Sequence, residues 1–455
     1  MIKILFIDIK VFRFFVVSKI RVAKVRYFSI NRHQQIPPFS LFLHFEIQDA
    51  ACHVSTIVLL MNPQPYNLLL FNPDHDLALA HGRTHYVPPA SAVAFASDAA
   101  PVVSWLTRDT AALVPERTVP DEFLRQLQEL RKECRWVTQR ELPELPLEKV
   151  VPWGWNYNIW ERLKKWGVSD GALPTDTEIT AIQQLSHRRT AAKAMQFLRD
   201  RATRPERLPL PARELHSLEE ADQFFRNHGD VMFKMPWSGS GRGLRHVVDT
   251  MSTHQRGWIS QSIRKHGCIL AEPFHAVVQD FAMEFICDET VVFEGYSLFE
   301  THNGVYLSNT LMSDAAIEKH LSQWIDIQIL AEYKNLLTQF IQEEIAPYYK
   351  GCVGVDMFVY RKDGDFFVNP AVELNLRMTM GLLANRFVRD YMAPGATGTM
   401  SVEYRPRAGE LYEEQQSLQK KFPPVFTDGK LINGCITLSP VMLETFYTVQ
   451  VTCFC

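Results

Sequence analysis

No stretch of this sequence is apolar for the roughly 18 to 20 residues that a membrane-spanning helix needs. Lys or Arg interrupts every hydrophobic run of the opening MIKILFIDIKVFRFFVVSKIRVAKVRYFSI, and the segment lacks a signal peptide's clean apolar core and small-residue cleavage site. Paired CxxC spacing is absent too. Eight cysteines, at 52, 134, 268, 287, 352, 435, 453 and 455, are scattered, which argues against a zinc ribbon or a disulfide framework and fits a reducing cytoplasm. The terminal CFC offers two thiolates, which alone make a poor metal site. With a net charge of −3 there is no positive excess for general nucleic-acid binding. Neither an internal repeat nor a low-complexity tract stands out. No Ser-His-Asp or Cys-His nucleophile is evident.

What remains is an ordinary globular composition, 46% hydrophobic and 22% charged, over 455 residues. That length suits about two to four domains with a substantial core. Met61 opens MNPQPYNLLLFNPDHDLALA, which reads like the start of a domain: a strand, then a turn. Residues 1–60 are expected to be an extension outside the folded domains; a membrane-surface amphipathic segment is the alternative. Residues 61–180 mix short apolar runs with helical stretches such as DEFLRQLQELRKEC, as in a small α/β domain, and the prolines of ELPELPLEKVVPWGW mark a boundary or crossover.

From residue 181 the pattern sharpens. SHRRTAAKAMQFLRDR predicts an amphipathic helix with Ser186 as N-cap, and Ser217 with Glu220 is spaced as a capping box for the next helix. VMFKMP predicts a strand that runs directly into WSGSGRG. HGCILAEPF and FAMEFICDETVVFEGYSLFE are strand-like, and IEKHLSQWIDIQILAEYKNLLTQFIQEEIA is a long helical pattern. GCVGVDMFVYRKDGDFFVNPAVELNL predicts a hairpin turning at KDGD. The last residues read as further strands.

Four candidates for chemistry follow. The Gly-rich stretch lets backbone N–H groups converge on phosphate, with Lys234 and Arg242 to neutralise it, or it is a flexible hairpin. It is neither a Walker A loop, lacking GK[ST], nor a Rossmann fingerprint, because RHVVDT after it is strand-like. Glu373 and Asn375 are two apart on a strand and share a face, which Arg377 continues; the hairpin can bring Asp356 beside them. Two carboxylates and an amide oxygen suit Mg²⁺, though polar residues also line solvent-facing strands. Glu272 closes a strand before Pro273. Asp74, His75 and Asp76 are N-capping residues or contacts to a substrate or phosphate at a helix start.

Taken in order, an early basic helix, a helix opening SLEEA, Lys-x-Pro, a Gly/Ser loop, an acidic strand end, and Asp followed by Glu-x-Asn resemble the ATP-grasp superfamily of carboxylate–amine (or thiol) ligases. The resemblance covers roughly residues 181–385. It implies an α/β (α+β) fold in which two subdomains, 181–265 and 266–400, clamp ATP, preceded by a smaller Rossmann-like domain over 61–180 and followed by a strand-rich tail, 401–455. It implies ATP and Mg²⁺ (or Mn²⁺) as cofactors. Lys234 would contact the nucleotide, and Ser238, Gly239, Ser240, Gly241, Arg242 and Gly243 would form the flap over its phosphates. Glu272 and Phe274 would lie at the adenine, and Asp280 at the ribose, with Glu284 competing for that place. Asp356, Glu373 and Asn375 would hold the metal, and Arg377 would face the transferred phosphate.

Three departures from the family pattern stand out. The first phosphate-binding Lys is replaced by Arg188, or by Arg189. Met235 separates Lys234 from Pro236. The region before 181 matches no substrate domain. The implied function is an ATP-dependent ligase that makes an acyl phosphate and passes it to an amine or similar nucleophile; a small-molecule kinase or a non-catalytic nucleotide-binding module are the alternatives. Expected partners are small carboxylates and amines, without nucleic acid or a membrane span. A homodimer stays open, and a cytoplasmic location is expected. Specificity is expected from the N-terminal domain, from residues 301–309, and from the segment after Gly381.

Overall fold

In this computed structural model the described residues are 66–454, apart from 84–85, 108–110, 118, 134, 240, 242 and 303–304, together with three strands nearer the N-terminus. Contacts divide the chain into Met1–Tyr66 with Pro143–Glu148, and Asn67–Leu142 with Lys149–Cys455. In the first unit the strands Val22–Phe28, Leu41–Gln48 and Val54–Met61 pair antiparallel in sequence order. The rest of the expected extension lies outside the described residues.

The second unit is mixed α/β and carries the candidate site. Its first layer is a sheet ordered Arg135–Val137, Ala111–Leu113, Tyr66–Leu70, Leu147–Pro152, with the first two pairings parallel. Parallel pairing buries both faces, and Leu68, Ala111 and Val137 are fully buried. Next comes an antiparallel sheet ordered Leu244–Val248, Asp230–Lys234, Ile269–Pro273, Arg213–Leu215. The helices Leu218–His228 and Thr253–His266 cover it through Phe224, Ile259, Val231 and Phe233. The strand Ile269–Pro273 thus belongs to the sheet of the Gly-rich hairpin, beyond the boundary expected at 265.

A nine-stranded antiparallel sheet forms the largest layer. It begins with Asp365–Asn375, Gly351–Lys362, Ala276–Cys287 and Val291–His302, and ends with the C-terminal strands Tyr447–Phe454, Lys430–Thr437 and Val425–Thr427. Alternation divides its faces. Phe281, Met283 and Phe285 join the core beneath the helices Arg189–Arg201 and Ile327–Phe340, while Asp280, Ala282 and Glu284 point the other way.

Three expectations need correction. Ser186 does not cap the helix after it: it ends the preceding helix Asp176–Leu185, its hydroxyl donating to Ile182 O at 2.7 Å, and the next helix starts at Arg189 with Arg188 as N-cap. At the Ser217 cap, Ser217 Oγ accepts from Glu220 N, but the Glu220 carboxylate bonds His216 N instead of closing a box. The long helical pattern breaks into Asp314–Leu321 and Ile327–Phe340, because Asp326 caps a fresh start by accepting from Gln328 N.

The tail is core. Leu431, Ile436, Val449 and Val451 bury with Val102, Trp105 and Phe387, and Trp105 Nε1 donates to Leu438 O at 2.8 Å. Among the described residues no helix is long and apolar enough to cross a membrane. Trp105 is 1% exposed and packs on Phe387 and Tyr391. Trp105→Ala should therefore cost about 3–5 kcal/mol in urea unfolding; a loss under about 1 kcal/mol would show that the tail and first layer are not one core.

Candidate functional site

The hairpin of the two acidic strands turns at Asp363 and Gly364, with φ +52° and +90°. Two positive φ values match the twist of the flanking strands and fix a two-residue turn. With Lys362 opposite Asp365, and despite a bulge after Asp356, the register sets Asp356 opposite Glu373 and Gly354 opposite Asn375. The three residues meet as their spacing implied. Asn375 Nδ2 donates to Asp356 Oδ2 at 3.1 Å. Burial first, and then the charge of Glu373, push the Asp356 carboxyl up to about 7. As placed, Asn375 turns its nitrogen to Asp356 and its oxygen to Arg377, so ligation through that oxygen requires its amide to rotate.

Arg188 ties this face to the Gly-rich hairpin. Its Nη1 lies 2.9 Å from Glu373 Oε2, its Nε donates to Met235 O, and its Nη2 donates to the carbonyl and hydroxyl of Ser238. Arg189 turns instead to Glu214, 3.0 Å away. Of the two arginines, only Arg188 reaches the acids. Lys234 pairs with Glu272 at 2.5 Å, both nearly buried. Together with Arg188, Met195, Leu270 and Val372 they line a small cleft whose lining mixes charged and apolar residues.

The inserted Met235 has a structural use: its N–H donates to Gly243 O at 2.8 Å and closes the hairpin, a bond that proline at this position could not make. Gly241 takes φ +69° at the turn. A side chain at Gly239 would put its Cβ 2.4 Å from Asp76 Oδ2. Ser240 and Arg242 lie outside the described residues.

Other candidates fall apart from this centre or beside it. Phe274 stacks on His246 at 3.8 Å and is not among the residues lining the cleft. Asp280 accepts from Thr301 Oγ1 at 2.9 Å, and burial raises its carboxyl. Glu284, opposite Gly354, is 1% exposed; burial pushes its carboxyl up to about 8, against the hydrogen bond from Thr379. It is not among the residues lining the Lys234–Glu272 cleft.

The first layer brings Asp74, His75 and Asp76, singled out in the sequence as caps or ligand contacts, together with neighbours the sequence did not single out. Asn72 and Gly154 exchange hydrogen bonds, the His75 ring fills the space a side chain at 154 would take, and Met378 N donates to Trp153 O. Burial lowers His75 to about 4, leaving a neutral imidazole. Asp74 N-caps its helix without a side-chain cap hydrogen bond. Asp76 is neither a cap nor free: its two oxygens face Arg377 Nε and Nη2, each at 3.2 Å. Burial, the largest single influence, would raise its carboxyl, but the Arg377 charge and hydrogen bond, with His75 and Arg188, together outweigh it and hold the carboxyl below the usual range. His75, Asp76, Trp237, Ser238, Glu373 and Asn375 border a second small cleft. Nothing in the local spacing of NPDHD distinguishes an ion pair made 301 residues away from a cap.

No protein-family model matches the chain, and no curated protein sequence does. Solved structures similar to it include biotin carboxylase from Campylobacter jejuni, 12% identical, covering 86% of this chain and 88% of that one at a TM-score of 0.48. N5-carboxyaminoimidazole synthetase from Staphylococcus aureus, complexed with ADP, is 12% identical and covers 86% and 94% at 0.45. The biotin carboxylase domain of the Hydrogenobacter thermophilus 2-oxoglutarate carboxylase, with MgADP and bicarbonate, is 10% identical and covers 86% of each chain at 0.47. At such identities and scores, the resemblance to ATP-grasp ligases stands on this chain's own residues: a Lys/Glu-lined cleft, a Gly-rich hairpin and an Asp/Glu/Asn face that meet in one place.

Proposed function

We propose that this chain is an ATP- and Mg²⁺-dependent ligase that activates a carboxylate as an acyl phosphate and joins it to an amine or similar nucleophile. One observation carries the reading: Arg188 lines the Lys234–Glu272 cleft and also bridges the Gly-rich hairpin to Glu373, so that one side chain links the loop, the cleft and the paired acids. The cleft lining joins apolar residues such as Met195, Leu270 and Val372, which suit a base, to Lys234 and Arg188, which suit phosphates.

The donors fit a hard divalent ion. Among the described residues no cluster of three or more His, Cys, Asp or Glu is placed to hold a metal alone. Mg²⁺ does not require one, since it is commonly held by one or two carboxylates and completed by substrate phosphates and water. Asp356 and Glu373, pressed together by register, are the pair such an ion would relieve, with Asn375 joining once its amide rotates. When bound, Mg²⁺ would supply charge neutralisation on the terminal phosphates.

The chain's own residues do the rest by placement. Lys234 and Arg188 offset phosphate charge at the cleft, and Arg377, beyond Asn375, is positioned for the transferred group. Phosphoryl transfer and acyl substitution need little covalent help from the protein when such charges are preorganised. No side chain has to become a covalent intermediate. Small carboxylate and amine substrates would enter from the second cleft.

Glu373→Gln and Asp356→Asn should abolish Mg²⁺-dependent ADP release while far-UV circular dichroism stays unchanged; undiminished turnover in Glu373→Gln refutes the metal assignment. Calorimetry with ATP and Mg²⁺, followed by ADP release over amino acids and small carboxylates, separates the alternatives. A phosphorylated product without an amide indicates a kinase, and binding without turnover indicates a nucleotide-binding module. The raised Asp356 carboxyl adds a pH signature. Only its ionised form ligates, so apparent Mg²⁺ affinity should strengthen as pH rises through about 7, with proton release on binding. Calorimetry in two buffers of different ionisation enthalpy reads that proton; identical heats in both would contradict the assignment.

A further inference from the structure

We propose that Asp76 is a positioning residue that holds Arg377 in place over the acidic face and sets how closely the Gly-rich hairpin can approach it. This inference rests on the ATP-dependent reading of the site. Arg377 has five N–H groups, and the structure accounts for most of them. Nε and Nη2 face the two Asp76 oxygens, Nη2 also donates to Asn375 Oδ1, and Nη1 donates to Met378 O. The guanidinium plane is therefore determined by the Asp76 carboxylate, hydrogen-bonded at Nε and ion-paired at Nη2, on one edge and a backbone carbonyl on the other. What is left for a ligand is on Nη1, in one direction.

Asp76 comes from a different layer, on the helix His75–His81. That helix is seated by the Asn72–Gly154 hydrogen bonds and by the His75 ring against Gly154. The same carboxylate is what the hairpin meets. Any side chain at 239 would collide with Asp76 Oδ2, so the loop descends to this depth only because position 239 is glycine. One carboxylate thus touches both the cation expected at the transferred phosphate and the loop expected over it.

Without Asp76, Arg377 keeps a single side-chain tether, Asn375, itself bonded to Asp356. The freed guanidinium then turns toward Asp356 and Glu373, where it competes with Mg²⁺. Asp76→Asn should accordingly lower kcat for Mg²⁺-dependent ADP release by about 10–100-fold, the usual cost of losing an outer-shell partner. It should also raise the Mg²⁺ concentration at half-maximal rate, while the KM for ATP, set at the Lys234–Glu272 cleft, changes little. A purely structural loss would not move the Mg²⁺ requirement selectively. The double variant Asp76→Asn/Arg377→Met should be no slower than Arg377→Met alone, because Asp76 acts through Arg377.

Each assay uses the full chain, with melting curves as the check on folding. If Asp76→Asn does not fold, Gly239→Ala, whose methyl presses on Asp76 from the hairpin side, should produce the same fall in kcat and rise in Mg²⁺ requirement. Wild-type kcat and Mg²⁺ dependence in a folded Asp76→Asn or Gly239→Ala protein overturns the inference. So does a double variant whose losses multiply. A wild-type chain that neither binds Mg·ADP nor releases ADP sinks the ATP reading itself, an outcome visible before any Asp76 variant is made.

Discussion

Two carboxylates held opposite each other across an antiparallel strand pair repel, and burial removes the water that would screen them. Asp356 and Glu373 are in that position, and most of the polar architecture around them reads as a response. Arg188 takes one oxygen of Glu373, and Asn375 donates to Asp356. Arg377, next along the strand, takes the Asn375 oxygen and needs a carboxylate of its own, which Asp76 supplies from another layer. A protein seeking only stability would do better with apolar residues here, because buried ionic groups recover little of their desolvation cost. Such a costly cluster is more readily understood as a seat for charge that arrives with a ligand.

The scaffold confines those groups to one face of the sheet. Strand alternation sends Phe281, Met283 and Phe285 into the helix-covered core and leaves the opposite face for acids. The C-terminal strands, far from the cluster in sequence, complete the sheet and bury against the first layer through Trp105. The helix carrying Asp76 is seated at the end of that first layer by the Asn72–Gly154 hydrogen bonds and the His75 ring. Stability at a distance thereby becomes precision at the site, since a guanidinium misplaced by an ångström no longer meets its partners.

Much of the site was legible because its signals are local. Lys-Asp-Gly-Asp announces a two-residue hairpin turn, and a period of two puts Glu373, Asn375 and Arg377 on one face, so Asp356 follows from register. Lys234 and Glu272 were legible as strand-end residues, though not that they would neutralise each other. Arg188 and Arg189 could not be separated in sequence: adjacent helical residues point about 100° apart, and which one faces the acids depends on how the helix docks. The same limit hid the end of the helix at Ser186, where a hydroxyl that could cap forward bonds backward to Ile182. Phe274 was expected only by its place in the strand order, and no sequence signal showed that its ring stacks on His246.

By itself the sequence determined the elements and their faces: which runs are strands, where the acidic hairpin turns, where glycine permits a backbone to approach, and which residues share one side of a strand. These follow from steric and periodic rules that act over a few residues. Tertiary structure alone decided that Asp76 belongs to Arg377, that Glu284 is enclosed as a neutral acid, and that the tail is core. Each depends on contacts between segments hundreds of residues apart, or on the exclusion of water by a completed layer, and no local pattern encodes either.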